Sequence, residues 1–108
     1  MTMQAGEFWL ADIPFTDGSA SKIRPVLVLW LDGLDAVVAA VTSAAPRSPS
    51  DVPLGDWAAA GLRVASTVRL ARLDCLEQSL LFRWLGALTP VDAHSLRTTW
   101  DTHVKPRF

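Results

Sequence analysis

Two apolar segments separated by Asp32 and Gly33 constrain this chain more than any other feature. The first segment, 26–31, directly follows Arg24 and Pro25, and the second ends shortly before residue 43. Asp-Gly between two apolar runs predicts a β-hairpin, because both residue types tolerate the positive φ that a tight antiparallel turn requires. The sequence therefore predicts an antiparallel sheet built around this pair of strands.

The register of the hairpin brings Arg24 close to hydroxyl groups. A three-residue loop at 32–34 places Arg24 opposite Thr42. A loop one residue shorter or longer moves the partner to Val41 or Ser43. A guanidinium group and neighbouring hydroxyls suit a phosphate, because the planar fork donates to two oxygens at once. The alternative is that Arg24 is a solvated charge at a strand end and that the hydroxyls cap the strand.

Length and composition predict one cytoplasmic domain over residues 1–108. Half of the residues are hydrophobic, which argues against disorder and indicates that a partner covers some apolar surface. Residues 1–6 lack the charged and apolar regions of a signal peptide, and no apolar run could span a bilayer. Cys75 is the only cysteine, so an intrachain disulfide is impossible.

The charges are unevenly distributed along the chain. The net charge is −1, which by itself does not indicate nucleic-acid binding. Residues 22–72, however, carry six basic and four acidic side chains, whereas the rest of the chain carries four basic and seven acidic ones. Any phosphate-binding surface must therefore be a local patch from the middle of the chain.

The remaining pattern predicts further short strands and one helix. Strands are expected at 8–12, 63–73 and 80–85, with a short edge strand at 51–54. Loops are expected at 13–21 and 44–50, and the segments 19–22 and 44–50 could form the walls of a groove at the open end of the hairpin.

Helix signals occur at two places. Asp56 is expected to cap a single turn that Gly61 ends. Thr89 is the expected N-cap of a C-terminal helix with Pro90 at its first position. The predicted fold is mainly β, a small curled antiparallel sheet with a C-terminal α-helix.

Several motifs occur in an order that resembles the PemK/MazF family of toxin-antitoxin ribonucleases. They are GEFWLAD at 6–12, RPVLV at 24–28, VTS at 41–43, STVR at 66–69 and LGAL at 85–88. The segment DWAAAGL at 56–62 resembles one branch of that family. The resemblance covers roughly residues 6–100.

This resemblance implies an SH3-like barrel and a specific chemistry. The family cleaves single-stranded RNA without a metal or cofactor, by attack of the ribose 2′-hydroxyl on the adjacent phosphate. The resemblance also implies a twofold homodimer whose interface completes the RNA groove, and a cognate antitoxin that displaces the loop over the RNA site. The function that it implies is that of a sequence-specific mRNA interferase.

The expected site residues follow from the motifs and the loops. The expected catalytic residues are Arg24, Thr42, Ser43 and Arg69, and the expected RNA-binding residues are Ser19, Lys22, Arg47 and Arg72. His94, His103 and Cys75 stand apart from one another, and the sequence shows no metal-ligand spacing.

The general base is not identified by the sequence. In some family members an acidic residue follows the Arg69 position by two residues, but here that residue is Ala71. Simple alternation along the strand 63–73 places Asp74 on the face opposite Arg69. Two alternatives therefore remain open: a gyrase-poisoning toxin of the same fold that uses a C-terminal aromatic surface (100–108), and a catalytically lapsed member that only binds antitoxin or RNA.

The five tryptophans suggest packing more than base stacking. Trp9, Trp30 and Trp84 lie in apolar strand patterns, and Trp100 shares a helix face with apolar neighbours. Core or dimer packing is the expected role of these four side chains. The role of Trp57 stays open.

Overall fold

Six strands form one antiparallel sheet in the computed structural model, which describes residues 2–14 and 18–108. The strands are β1 (Glu7–Pro14), β2 (Ser21–Asp32), β3 (Asp35–Thr42), β4 (Asp51–Pro53), β5 (Thr67–Glu77) and β6 (Leu81–Ala87). Their order is β4-β5-β3-β2-β1-β6, and the sheet is not closed, since β4 and β6 are its edges. Helix α1 (Pro90–Thr99) follows and continues as a π-helical turn (Trp100–Val104). The mainly β prediction with a C-terminal helix is confirmed.

The β2–β3 hairpin exists, and its turn has one of the loop lengths that the sequence left open, one residue shorter than 32–34. Asp32 pairs with Asp35, so the loop contains only Gly33 and Leu34. Gly33 alone takes the positive φ, at 60°. The positive φ at the first loop position suits a tight hairpin connection that a residue without Cβ adopts at little cost.

A bulge in β2 compensates for the shorter turn. The register shifts between Val28 and Trp30, so that Leu29 is an extra residue in β2. Beyond the bulge, Val26 pairs with Ala40, which is the register that a three-residue loop would have given. The effects of the shorter loop and of the extra residue on the register therefore cancel at the open end of the hairpin.

Strand β5 differs most from its predicted boundaries. It begins and ends four residues later than the predicted strand 63–73. Val64 lies before the strand and is exposed, so it does not share a buried face with Val68. Strand β1 is longer than predicted and includes Ile13 and Pro14, for which the sequence predicts a loop. Residues 15–17 of that predicted loop lie outside the described residues.

Both faces of the sheet are buried, each by its own cluster. One cluster lies between the sheet, the turn at 55–61 and the C-terminal helix, and includes Phe8, Leu27, Val68, Leu70 and Leu96. The other lies on the opposite face and includes Met3, Val26, Val28, Val38 and Leu76. Because side chains on both faces of the sheet are buried, the strand sequences are continuous apolar runs and do not alternate between apolar and polar residues.

The turn at 55–61 is fastened to the start of α1. The Asp56 carboxylate does not cap this turn as predicted, but accepts a hydrogen bond from Thr89 Oγ1 at 2.8 Å. The buried Asp92 carboxylate accepts from the backbone N–H groups of Gly55 and Asp56, at 3.0 and 2.9 Å. Thr89 caps α1 and Pro90 occupies its first position, as predicted.

The tryptophans divide between packing and exposure. Trp9 and Trp57 are partly buried against the two clusters, which answers the open question about Trp57. Trp100 packs edge-on against Trp30, with ring centroids 6.0 Å apart. Trp30 and Trp84 nevertheless remain 45% exposed.

No helix in the described part of the chain is long and apolar enough to cross a membrane.

Candidate functional site

A cleft of about 670 Å³ opens at the end of the hairpin and contains most of the predicted site residues. Its polar lining consists of Lys22, Arg24, Thr42, Arg47, Arg69, Arg72 and Asp74. We call this the basic cleft. All five of its cations come from the positively charged middle part of the chain, residues 22–72, as the charge distribution predicted.

Strand alternation places Arg24 and Thr42 on one face. Val26 pairs with Ala40, and side chains directly opposite each other in an antiparallel pair share a face. Arg24 and Thr42 each lie two residues further towards the open end, which returns them to the face of that pair. The predicted approach of this cation and this hydroxyl is thus supported by the register as well as by the shared cleft.

A wide irregularity in β5 brings Asp74 into the same cleft. Ala39 pairs with Leu73 while Ala40 pairs with Arg69, so the three residues 70–72 have no partners on β3. Because three is an odd number, the alternation of faces is inverted beyond the bulge. Asp74 therefore lies on the face of Arg69 and lines the basic cleft. The prediction that Asp74 lies on the opposite face was wrong.

Asp51 holds Arg69 and the following loop in place. Its Oδ1 lies 3.4 Å from Arg69 Nε, and its Oδ2 accepts a hydrogen bond from the backbone N–H of Arg47 at 2.9 Å. The Asp51 side chain is 3% exposed and that of Arg69 is 25% exposed. Asp51 is thus a buried anchor for two cationic residues of the cleft. This role of Asp51 is not evident from the sequence, where its signal is an acid at the start of a predicted edge strand, directly after a loop.

The Thr42 hydroxyl already has one partner within the chain. Thr42 Oγ1 accepts a hydrogen bond from the backbone N–H of Ala44 at 3.1 Å. This contact orients the hydroxyl, and its own proton remains available as a donor. The strand-capping role and the anion-binding role, which the sequence presented as alternatives, are therefore compatible.

Two predicted site residues are not part of the cleft lining. Ser43 follows β3 and Ser19 precedes β2, and neither lines the cleft. Of the two predicted wall segments, the loop after β3 contributes Arg47. The other predicted wall, 19–22, contributes Lys22, which lies in β2.

The described residues contain no group of three or more histidine, cysteine or acidic side chains that could hold a metal ion. Cys75 is exposed next to Asp74. Local desolvation, followed by the negative charges of Asp35, Asp32 and Asp74, raises the pKa of the Cys75 thiol above its ordinary value. A thiol with a raised pKa stays protonated at neutral pH and is a weak nucleophile.

The open six-stranded sheet is the fold of several bacterial toxin structures. An endoribonuclease solved with its cognate antitoxin, from a mycobacterial species, is 17% identical, with a TM-score of 0.77 over 99% of each chain. A MazE–MazF complex from Deinococcus radiodurans is 22% identical, with a TM-score of 0.70 over 91% of this chain and 92% of that one. The Mycobacterium tuberculosis toxin MazF-mt6 is 22% identical, with a TM-score of 0.62 over 86% and 96%.

At these identities the likeness to solved structures shows the fold, and the family is shown by a separate comparison. Residues 4–100 match the family model of PemK-like, MazF-like toxins of type II toxin-antitoxin systems. No curated protein matches the sequence. Because the family model spans most of the chain, this protein belongs to the PemK-like, MazF-like toxin family, as the motifs had indicated.

Proposed function

We propose that the basic cleft binds single-stranded RNA and cleaves it at a preferred sequence, without a metal ion. The observation that carries this proposal is the convergence of five cations and an oriented hydroxyl in one cleft of a protein whose net charge is −1. Such a concentration of positive charge attracts a polyanion, and binding weakens as salt rises. Related structures described as endoribonucleases support the same reading.

The proposed reaction is an internal transesterification. The ribose 2′-oxygen attacks the adjacent phosphorus, the bond from phosphorus to the 5′-oxygen breaks, and the products carry a 2′,3′-cyclic phosphate and a 5′-hydroxyl. Negative charge builds up on the non-bridging oxygens in the transition state, where fixed donors are most effective. Arg24 is our candidate for this electrostatic role, and the Thr42 hydroxyl donates to a non-bridging oxygen.

Arg69 acts as the second cation of the cleft. Its ion pair with Asp51 engages Nε, and the two terminal nitrogens are our candidates for donors to the RNA. Lys22, Arg47 and Arg72 surround the reacting centre and suit the phosphates of flanking nucleotides. Bases of single-stranded RNA can be splayed against the cleft walls, which is the usual basis of sequence preference in such substrates.

The proposed assembly is a homodimer controlled by a cognate antitoxin. Large apolar side chains are exposed on the described surface, among them Ile23, Trp30, Leu34, Phe82 and Trp84. Exposed apolar side chains in this number favour burial against a second copy. Light scattering should give twice the monomer mass at tens of micromolar, and a monomer mass there contradicts this part of the proposal.

The antitoxin is proposed to compete directly with RNA. An acidic segment that folds across the basic cleft would neutralise the same cations that RNA uses. Arg24→Glu should therefore weaken antitoxin binding, measured by calorimetry. Unchanged affinity in this variant would indicate an antitoxin that binds elsewhere.

The decisive experiment compares variants of two arginines in cleavage assays. Arg24→Ala should lower single-turnover cleavage of single-stranded RNA by about 10²–10³-fold, the scale of one preorganised donor. The matched control is Arg83→Ala, because Arg83 is exposed on β6 and does not line the cleft. Primer extension on cellular RNA should show a recurrent short motif, and excess EDTA should leave cleavage unchanged.

Failure of wild-type cleavage would favour the binding alternatives. A gyrase-directed toxin would inhibit DNA gyrase, whereas a lapsed member would bind antitoxin or RNA without cutting. The C-terminal aromatic surface that the first of these requires is reduced by the packing of Trp100 against Trp30, although Phe108 is exposed.

A further inference from the structure

The proposed reaction requires an acceptor for the proton of the ribose 2′-hydroxyl. The five cations of the basic cleft donate hydrogen bonds and accept none at neutral pH. Ala71, which is exposed within the β5 bulge, offers no acceptor either. The following inference rests on the proposed function and identifies the missing group among this chain's own residues.

Two carboxylates lie at the cleft, and one of them is already occupied. Both oxygens of Asp51 are engaged, one by Arg69 and the other by the backbone of Arg47. The Asp51 side chain is also 3% exposed, so a ribose cannot reach it. Asp51 is therefore a positioning residue.

Asp74 has the opposite properties. Its Oδ1 accepts a hydrogen bond from the backbone N–H of Cys75 at 2.9 Å, which fixes the carboxylate. Within the described part of the chain, Oδ2 has no hydrogen-bond partner, and the residue is exposed at the cleft. Asp74 thus combines a fixed orientation with an open acceptor oxygen, as a general base requires.

The β5 bulge is the reason for this placement. If residues 70–72 paired regularly with β3, Asp74 would lie on the face opposite Arg69. With these residues unpaired, one strand supplies a cation and a carboxylate to the same cleft, on either side of the bulge. The bulge therefore supplies the cleft with a carboxylate although residue 71 is alanine.

We propose that Asp74 is the catalytic base of the cleavage reaction. Asp74 Oδ2 takes the proton of the 2′-hydroxyl as the 2′-oxygen bonds to phosphorus. The bond between phosphorus and the 5′-oxygen then breaks, and the leaving 5′-oxyanion takes a proton from water. The protonated Asp74 returns its proton to the solvent, so that charge and atoms balance over the cycle.

The test replaces the carboxylate by groups that cannot accept this proton. Asp74→Asn should lower single-turnover cleavage by about 10²–10³-fold, within the range typical of general base catalysis. The matched control is Glu77→Gln, the same acid-to-amide change on the same strand but outside the cleft, which should cleave like wild type. Circular dichroism of each variant verifies folding.

Two further measurements separate a base from other roles. Formate should partly restore cleavage by Asp74→Ala, because a small carboxylate can occupy the vacated position. A substrate with sulfur in place of the bridging 5′-oxygen needs no proton at the leaving group. With this substrate, Asp74→Asn should therefore lose as much of the cleavage rate as it loses with ordinary RNA. If the loss of rate vanishes with the sulfur substrate, Asp74 is the general acid and the proposal is overturned.

Binding provides a readout that does not depend on cleavage. Asp74→Asn should bind a non-cleavable 2′-deoxy oligonucleotide as tightly as wild type or more tightly, since a negative charge facing phosphates is removed. Wild-type protein that cleaves RNA together with an equally active Asp74→Asn variant overturns the role of Asp74 alone. Wild-type protein that cleaves no RNA overturns both this inference and the proposed function.

Discussion

Replacement of Asp51 by alanine tests how the basic cleft is held together. The substitution removes a carboxylate that is almost fully buried and has one oxygen on Arg69 and the other on the backbone of Arg47. Asp51 also pairs with Arg69 across β4 and β5, so both the side chain and the backbone connect the edge strand to the cleft. The variant protein should therefore be less stable to unfolding, and its Arg69 side chain should no longer be held in place.

The size of the effect follows from the two contacts. The hydrogen bond from Arg47 is 2.9 Å long and charge-assisted, a type worth about 1.5–3 kcal/mol. The contact with Arg69 is longer, at 3.4 Å, and its guanidinium is partly solvated, so it contributes about 0.5–1 kcal/mol. The expected loss for Asp51→Ala is about 3 kcal/mol, and Asp51→Asn should lose about half of that because one acceptor oxygen remains.

Thermal and urea unfolding measure this loss. In a domain of this size about 3 kcal/mol corresponds to a fall in Tm of about 12 °C. Asp101→Ala, which removes an exposed carboxylate from the C-terminal turn, should stay within about 0.5 kcal/mol of wild type. A double-mutant cycle with Arg69→Met should give a coupling energy of about 1 kcal/mol. A fall in Tm below 2 °C, or zero coupling, would refute the anchoring role of Asp51.

Three further outcomes are expected. Gly86→Ala should cost about 3 kcal/mol in urea unfolding, because its Cβ would lie 2.0 Å from a backbone carbonyl oxygen, whereas Gly55→Ala, with its nearest atom at 3.6 Å, should cost far less. Ala71→Asp should leave the cleavage rate unchanged if Asp74 already accepts the proton, and a clear gain in single-turnover rate would contradict that role. Asp74→Asn should lower the raised pKa of Cys75, so that iodoacetamide alkylates the thiol faster at a fixed mildly alkaline pH; an unchanged pH profile would show that Asp74 does not act on this thiol.

Local sequence signals determined the hairpin, the C-terminal helix and the basic character of the site. Asp-Gly between apolar runs predicts the hairpin, and Thr-Pro predicts the start of the C-terminal helix. Both predictions are confirmed, because both signals act through the backbone of adjacent residues. The concentration of cations in residues 22–72 predicted a basic patch, and five of these six cations, all except Arg63, line the cleft.

Only the tertiary structure decided which side chains face the cleft. Strand alternation has a period of two, so one unpaired residue reverses the face of everything beyond it. The extra residue Leu29 in β2 keeps Arg24 on the same face as Thr42. The unpaired residues 70–72 in β5 place Asp74 on the face of Arg69, and not on the opposite face that the sequence predicts. Bulges depend on how a strand fits its neighbours across the sheet, which neighbouring residues in the sequence do not encode. The burial of Asp51 beneath Arg69 has the same origin, because 18 residues separate the two in the chain.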